Sequence, residues 1–275
     1  MKTTRASIVL LFCISAFAAG ADIPTPPGEP GAKAALDKSP RHGEWVDVAV
    51  PGAKAPLRSY IVYPERKDKA PVVIVIHEIF GLSDWVRSVA DQLAAEGFIA
   101  IAPDLLSGHG KGGGGTDSYG SRDDVVKAIR EVKADEVMRD LNAARQYAIK
   151  LPAASAKSAT IGFCWGGGQS FAYAGVQPGL NAAVVYYGTP PGANVLARIA
   201  CPVAGFYGGT DGRIAMTVEP TKKQMEKLGK SYAPHIYEGA GHGFLRAQQG
   251  QNGANQKAAD QAWPATIAFL KEQTK

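Results

Sequence analysis

The sequence predicts an α/β protein: a mostly parallel sheet of about eight strands with helices on both faces. Three observations carry that expectation. Strand-type and helix-type apolar patterns alternate along most of the chain, as parallel strand–helix–strand units require. The run PVVIVIH at 71–77 is continuously apolar and β-branched, which fits a strand buried on both sheet faces. With 275 residues, 45% of them hydrophobic and 20% charged, the chain can bury a core and is too apolar for whole-chain disorder.

Residues 1–21 predict a cleavable signal peptide. Lys2 and Arg5 form a short positive region, residues 8–17 are apolar but too few to span a bilayer, and Ala16-Phe17-Ala18 or Ala19-Gly20-Ala21 supplies the small-residue cleavage site. Phe12 stands before Cys13 where a lipidation site wants a small residue. The expected location is therefore periplasmic or secreted, with no membrane attachment after signal removal, since no later run reaches about 18 apolar residues. Residues 22–43, rich in Pro, Gly and Ala and without periodicity, predict an extended N-terminal arm. One folded domain is expected over 44–275.

Within it, 44–50 and 57–63 alternate apolar and polar residues around a Pro-Gly turn and predict an antiparallel hairpin. The buried strand 71–77 is followed by helical spacing over 84–96 (Trp85, Val89, Leu93) and a second buried strand at 98–102. Residues 107–121 (SGHGKGGGGTDSYGS) carry no Gly-Lys-Ser/Thr opening a helix, so a mobile surface loop is expected rather than a phosphate cradle. Then come a helix at 133–149, strand 159–163, a small-residue helix at 165–175, and strands 181–187 and 202–207. A helix near 218–229, a short strand at 235–238 and a closing helix at 255–272 complete the chain.

The sharpest chemical signal is Gly162-Phe163-Cys164-Trp165-Gly166-Gly167, between an expected strand and an expected helix. It matches the nucleophile-elbow pattern G-x-nucleophile-x-G, in which a tight, strained turn tolerates no bulk on either side. Lying before a helix, the thiol is expected to feel a partial positive charge that favours thiolate. Such an elbow needs an acid and then a histidine later in the chain. Asp211, closing FYGGTD at a strand end, supplies the acid, and His242, in the glycine-flanked loop GAGHGF, the base. His235, within a strand, reads as a packed or surface residue. For the oxyanion, donors are expected from the backbone N–H of Trp165 and from the loop 77–82, at Ile79.

Several classes are disfavoured. Thirty Lys+Arg against twenty-five Asp+Glu give +5, and loss of Lys2 and Arg5 with residues 1–21 leaves +3. That is too mild, and too evenly spread, for nucleic-acid binding. His77-Glu78 lacks the H-E-x-x-H spacing of a zinc site, so no metal is expected. Cys164 and Cys201 belong at opposite ends of the sheet, which predicts two free thiols and no disulfide.

Taken in order, HEIFG (77–81), APDL (102–105), GFCWGG (162–167), GGTD (208–211) and GAGHGFLR (239–246) resemble the dienelactone hydrolase family over about 44–272. The resemblance implies an α/β-hydrolase fold, no cofactor and a triad of Cys164, Asp211 and His242. It also implies that Glu78 lies beside the thiol and helps manage its proton, and that Arg246 helps hold a substrate carboxylate. A second family arginine corresponds to Arg122 or Arg130.

The function expected is hydrolysis of a lactone or small ester, with or without a carboxylate, through a cysteine acyl-enzyme, by a monomer. Two alternatives stand beside it: a broad-specificity exported carboxylesterase or thioesterase, and a non-catalytic binding protein on the same fold.

Overall fold

The alternating pattern folds, in the computed structural model, into one eight-stranded sheet in the order β1-β2-β4-β3-β5-β6-β7-β8; the structure describes residues 23–275. The expected signal peptide at 1–21 lies outside the described residues. Strands β1 (Gly43–Val48) and β2 (Leu57–Val62) form the expected antiparallel hairpin, and β2 is also antiparallel to β4 (Ile99–Pro103). From β4 onward the sheet is parallel through β3 (Ala70–Ile76), β5 (Ala154–Phe163), β6 (Ala182–Tyr186), β7 (Val203–Gly208) and β8 (Tyr232–Tyr237).

Period-two burial on both faces explains the continuous apolar runs. Val73 and Val75 of β3, with Ile161 and Phe163 of β5, point into one core with Trp85, Val89 and Leu93 of α2 (Asp84–Ala95) and Trp263 and Ile267 of α8 (Ala254–Gln273). Val72, Ile74 and Ile76 point into the other. There they meet Leu141 of α4 (Ala134–Ala148), Phe171 of α5 (Trp165–Ala174) and Val218 of α7 (Gly212–Lys227).

Strand order reverses at β3, which has β4 on one side and β5 on the other. The carboxyl ends of neighbouring strands at such a reversal open a crevice where ligands bind in α/β proteins. The loops leaving β3 and β5 carry Ile79 and Cys164 to that crevice.

Three segments depart from the sequence reading. The N-terminal arm is not extended throughout: Glu29–Asp37 forms helix α1, whose Ala32 is fully buried in the α2 core. Its prolines and glycines all sit at or before the first turn, where Pro30 is tolerated because the first N–H groups have no partner in the helix. The Ala-rich remainder then propagates. Arg122–Glu131 forms a helix, α3, that the pattern reading passed over; the Ser121 hydroxyl caps it by accepting from the Asp124 N–H, and Val125 and Ile129 bury one face. Helix α7 starts six residues before the expected 218, because Asp211-Gly212 is a helix start and not a free turn.

The 107–121 insert is tied down at its far end. The buried Asp104 carboxylate accepts from the N–H and hydroxyl of Thr116, both at 2.7 Å, and the Thr116 hydroxyl accepts from the Leu82 N–H at 3.0 Å. Gly81, at φ +71°, permits this approach, since a Cβ there would lie 2.3 Å from that hydroxyl. Helix α6 (Ala193–Leu196) is a short connection before β7.

Candidate active site

Cys164 occupies the junction of β5 and α5 with φ +53° and ψ −115°, a region that L-residues rarely adopt. Its N–H donates to the Tyr186 carbonyl at 3.0 Å, which pins the turn against β6. The flanking glycines are required by close backbone approach. A Cβ on Gly162 would lie 1.9 Å from the Gly166 carbonyl oxygen, and one on Gly166 would lie 2.3 Å from that of His77. The motif spacing is thus a packing requirement.

The two expected oxyanion donors converge. The backbone N–H groups of Trp165 and Ile79 both donate toward Cys164 Sγ and favour its charged form. They do not win. Burial first, and the Glu78 carboxylate second, push the thiol up to about 11. The expectation that the helix N-terminus favours thiolate is therefore corrected: in the resting site, desolvation of a half-buried sulfur outweighs the helix end and the two amides.

His77 sets the donor loop in place. Its Nδ1–H donates to the Glu78 carbonyl at 2.8 Å, and its Nε2 accepts from the Leu105 N–H at 3.2 Å. The ring also stacks on Trp165 at 5.5 Å. Full burial pulls its pKa down, so it stays a neutral imidazole with both nitrogens engaged in backbone bonds.

Asp211 is the N-cap residue of α7, yet its side chain makes no cap bond. Its Oδ2 instead accepts from His242 Nδ1 at 2.5 Å, which fixes the ring orientation and leaves Nε2 to act as a base. His242 sits on the loop after β8, a third exposed. His235 lies within β8 as an exposed residue with its ring stacked on Phe206, which fits the expectation of a packed or surface residue. Among the described residues Cys164 and His242 share no hydrogen bond, so the sulfur rests on the amides rather than on the imidazole.

Glu78 is 2% exposed, and burial raises its pKa while Arg246 and His242 oppose the rise. Its Oε2 accepts from Arg246 Nε at 2.6 Å. Arg246 also donates from Nη1 to Glu29 Oε2 at 2.5 Å, and Glu29 Oε1 accepts from Arg122 Nη1 at 3.0 Å. Arg246 is thus engaged by two carboxylates of its own chain. Of the two rivals for the second arginine, Arg122 is brought here; its guanidinium lies 3.5 Å from the Phe80 ring centre and that of Arg246 5.0 Å. Among the described residues Arg130, in the last turn of α3, makes no such contact.

Two neighbours escaped the sequence reading. Glu29 belonged to a stretch read as an arm. Tyr187 follows β6 at φ +40°, packs its ring 5.1 Å from that of His242, and has a buried hydroxyl with no partner among the described residues. No local pattern marks either; a Ser-x-x-Asp cap before Val125 and Ile129 would have revealed α3.

Cys201 lies two residues before the start of β7 and is buried, at the opposite end of the strands from Cys164, and both cysteines are free. The expected absence of a disulfide agrees with this placement.

The dienelactone hydrolase family model matches residues 57–274. A Yersinia pestis protein named "Putative carboxymethylenebutenolidase" is 30% identical over 211 residues, covering 72% of this chain and 78% of that protein. A protein of the same name from Methylorubrum extorquens is 30% identical over 226 residues, covering 75% and 77%. The crystal structure of "Putative Dienelactone Hydrolase" from Klebsiella pneumoniae superimposes with a TM-score of 0.74 at 26% identity, covering 84% of this chain and 98% of that one. Strand order, elbow and family match agree: the chain belongs to the dienelactone hydrolase family and is a hydrolase of the α/β-hydrolase fold.

Proposed function

We propose that the protein opens a lactone or cleaves a small carboxylic ester through an acyl-cysteine intermediate. One observation carries this reading: the Ile79 and Trp165 N–H groups meet at Cys164 Sγ on the same crevice that His242, oriented by Asp211, overlooks. Those amides are placed to receive a carbonyl oxygen as its charge develops.

When the substrate carbonyl enters, Sγ attacks its carbon and the thiol proton passes to His242 Nε2. The oxygen becomes anionic between the two amides. Collapse expels the alkoxide or enolate, which takes the proton from His242, and leaves a thioester. His242 then deprotonates a water that attacks the thioester, releasing the acid and restoring the thiol. Glu78 beside a high-pKa thiol keeps the resting sulfur protonated and protects it between turnovers. A thiolate leaves readily, so activated esters such as enol lactones suit this nucleophile better than amides.

The same reading has the protein exported, on the strength of Lys2, Arg5 and the apolar stretch 8–17, and acting as a monomer on a small molecule without a cofactor. Rapid mixing with p-nitrophenyl esters and with neutral and acidic lactones tests it. A burst of p-nitrophenol matched to enzyme concentration, with an acyl adduct on Cys164 by mass spectrometry, is the expected result. Turnover without a burst and without adduct, retained in Cys164→Ala, would overturn it. Comparable rates across the simple esters would select the broad esterase alternative, and no turnover of any of them the binding protein.

A further inference from the structure

The arginine pair at the mouth of the crevice is already occupied by a carboxylate of the chain itself. Glu29 gives one oxygen to each guanidinium: Oε1 to Arg122 at 3.0 Å and Oε2 to Arg246 at 2.5 Å. The two arginines flank Phe80, the residue after Ile79 on the donor loop. Arg246 adjoins the histidine loop as well, since a Cβ on Gly243 would lie 3.5 Å from Arg246 Nη2 and 4.0 Å from Glu78 Oε1.

Glu29 is held there by its backbone. Its N–H donates to the Arg246 carbonyl at 2.9 Å, and the Gln248 side chain donates to the Pro26 carbonyl at 2.8 Å. A Cβ on Gly28 would come 3.2 Å from the Arg246 carbonyl oxygen. One turn on, Ala32 is buried against α2, so helix α1 fixes the carboxylate from behind. Arg122, Arg246, Glu29 and Glu78 are then joined by three ion pairs that balance two cations against two anions, so each guanidinium already has a carboxylate of the chain against it.

We propose that Glu29 is a specificity-determining residue: it fills the arginine pair with an internal carboxylate, so that the site selects neutral esters and lactones over carboxylate-bearing ones. The proposal rests on the hydrolase reading above. A substrate carboxylate meets like charge from Glu29 and finds the Nη1 donor of each arginine already on that carboxylate, and repulsion of this kind discriminates as effectively as attraction. Removing the Glu29 charge frees one Nη1 donor on each arginine for an incoming anion, while Arg246 Nε stays on Glu78.

The test compares p-nitrophenyl butyrate with p-nitrophenyl hemisuccinate, which differ by a terminal carboxylate, on the wild type, Glu29→Gln, Glu29→Ala and Glu29→Asp. The wild type is expected to favour the neutral ester. Gln and Ala are expected to raise the hemisuccinate-to-butyrate ratio of kcat/KM by at least about 10-fold, worth about 1.4 kcal/mol, through KM rather than kcat. Asp, keeping the charge, is expected to retain the discrimination. A second readout needs no turnover: calorimetric titration of succinate is expected to show at least roughly 10-fold tighter binding to Cys164→Ala/Glu29→Gln than to Cys164→Ala. A wild type that prefers the hemisuccinate, or a ratio and succinate affinity unmoved by Gln and Ala, would overturn the proposal. If the wild type hydrolyses neither ester, the hydrolase reading falls, and the succinate titration still decides the role of Glu29.

Discussion

Arg246 Nε donates to Glu78 Oε2 at 2.6 Å, joining positions 168 residues apart into one ion pair beside the candidate nucleophile. Glu78 is almost fully buried and Arg246 only partly so, which makes the carboxylate the partner with most to lose. The pair also sets the electrostatics of the crevice, because the same Glu78 pushes the Cys164 thiol up.

Arg246→Ala is expected to destabilise the protein, and by more at pH 8 than at pH 5. Burial already raises the Glu78 pKa in the folded state, and Arg246 opposes that rise. Without it the folded pKa climbs further above the unfolded one, so the folded state holds its proton more tightly and stability falls as pH rises through that interval. Removing one partner of a buried pair costs about 3–5 kcal/mol when the remaining charge stays ionised. Urea melts at the two pH values measure the difference; an equal loss at both would contradict it.

Glu78→Gln is expected to make Cys164 more nucleophilic at rest. The glutamate is the second-largest cause of the thiol's shift to about 11, and deleting its charge lowers that value. The midpoint of the rate of iodoacetamide alkylation against pH is then expected to move down. A midpoint that stays put or rises would show that Glu78 does not act on the sulfur.

Cys164→Ala is expected to retain the wild-type melting profile and to lose at least about three orders of magnitude in kcat, the usual residue of activity after a triad member is removed being that of the oxyanion donors and binding. A variant keeping a tenth of wild-type turnover would remove Cys164 from the nucleophile role.

Gly162→Ala is expected to cost at least about 1–3 kcal/mol, as overpacking does, because its Cβ would lie 1.9 Å from the Gly166 carbonyl oxygen and backbone must move. Gly52→Ala serves as the comparison, since it has a positive φ but open space around it. If the Gly162 variant is no less stable than the Gly52 one, crowding at the elbow is not what demands glycine.

Thiol labelling without reductant is expected to modify Cys164 in the folded protein and Cys201 only on unfolding. Cys164 is half-buried and Cys201 buried. A mass deficit of two hydrogens in the intact protein would indicate a disulfide between them and contradict the placement at opposite strand ends.

The sequence by itself determined the sheet and marked the candidate reacting groups. Continuous β-branched runs can only be strands covered on both faces, and glycines spaced around Cys164 report a backbone contact that leaves no room for a side chain. Those are local signals, written within one turn or one strand. His242 and Asp211 were legible by their order along the chain and by the turns that hold them. Only the tertiary structure decided the rest. The thiol's protonation depends on burial and on Glu78, which a helix-end argument does not contain. The choice of Arg122 over Arg130 depended on the path of a helix, α3, that had to be seen to be placed. The arm became a helix because α2 offered Ala32 a core to enter, and that docking carried Glu29 to the two arginines. Ion pairs between residues 93 and 217 positions apart leave no periodicity, since charge acts through space and not along the chain.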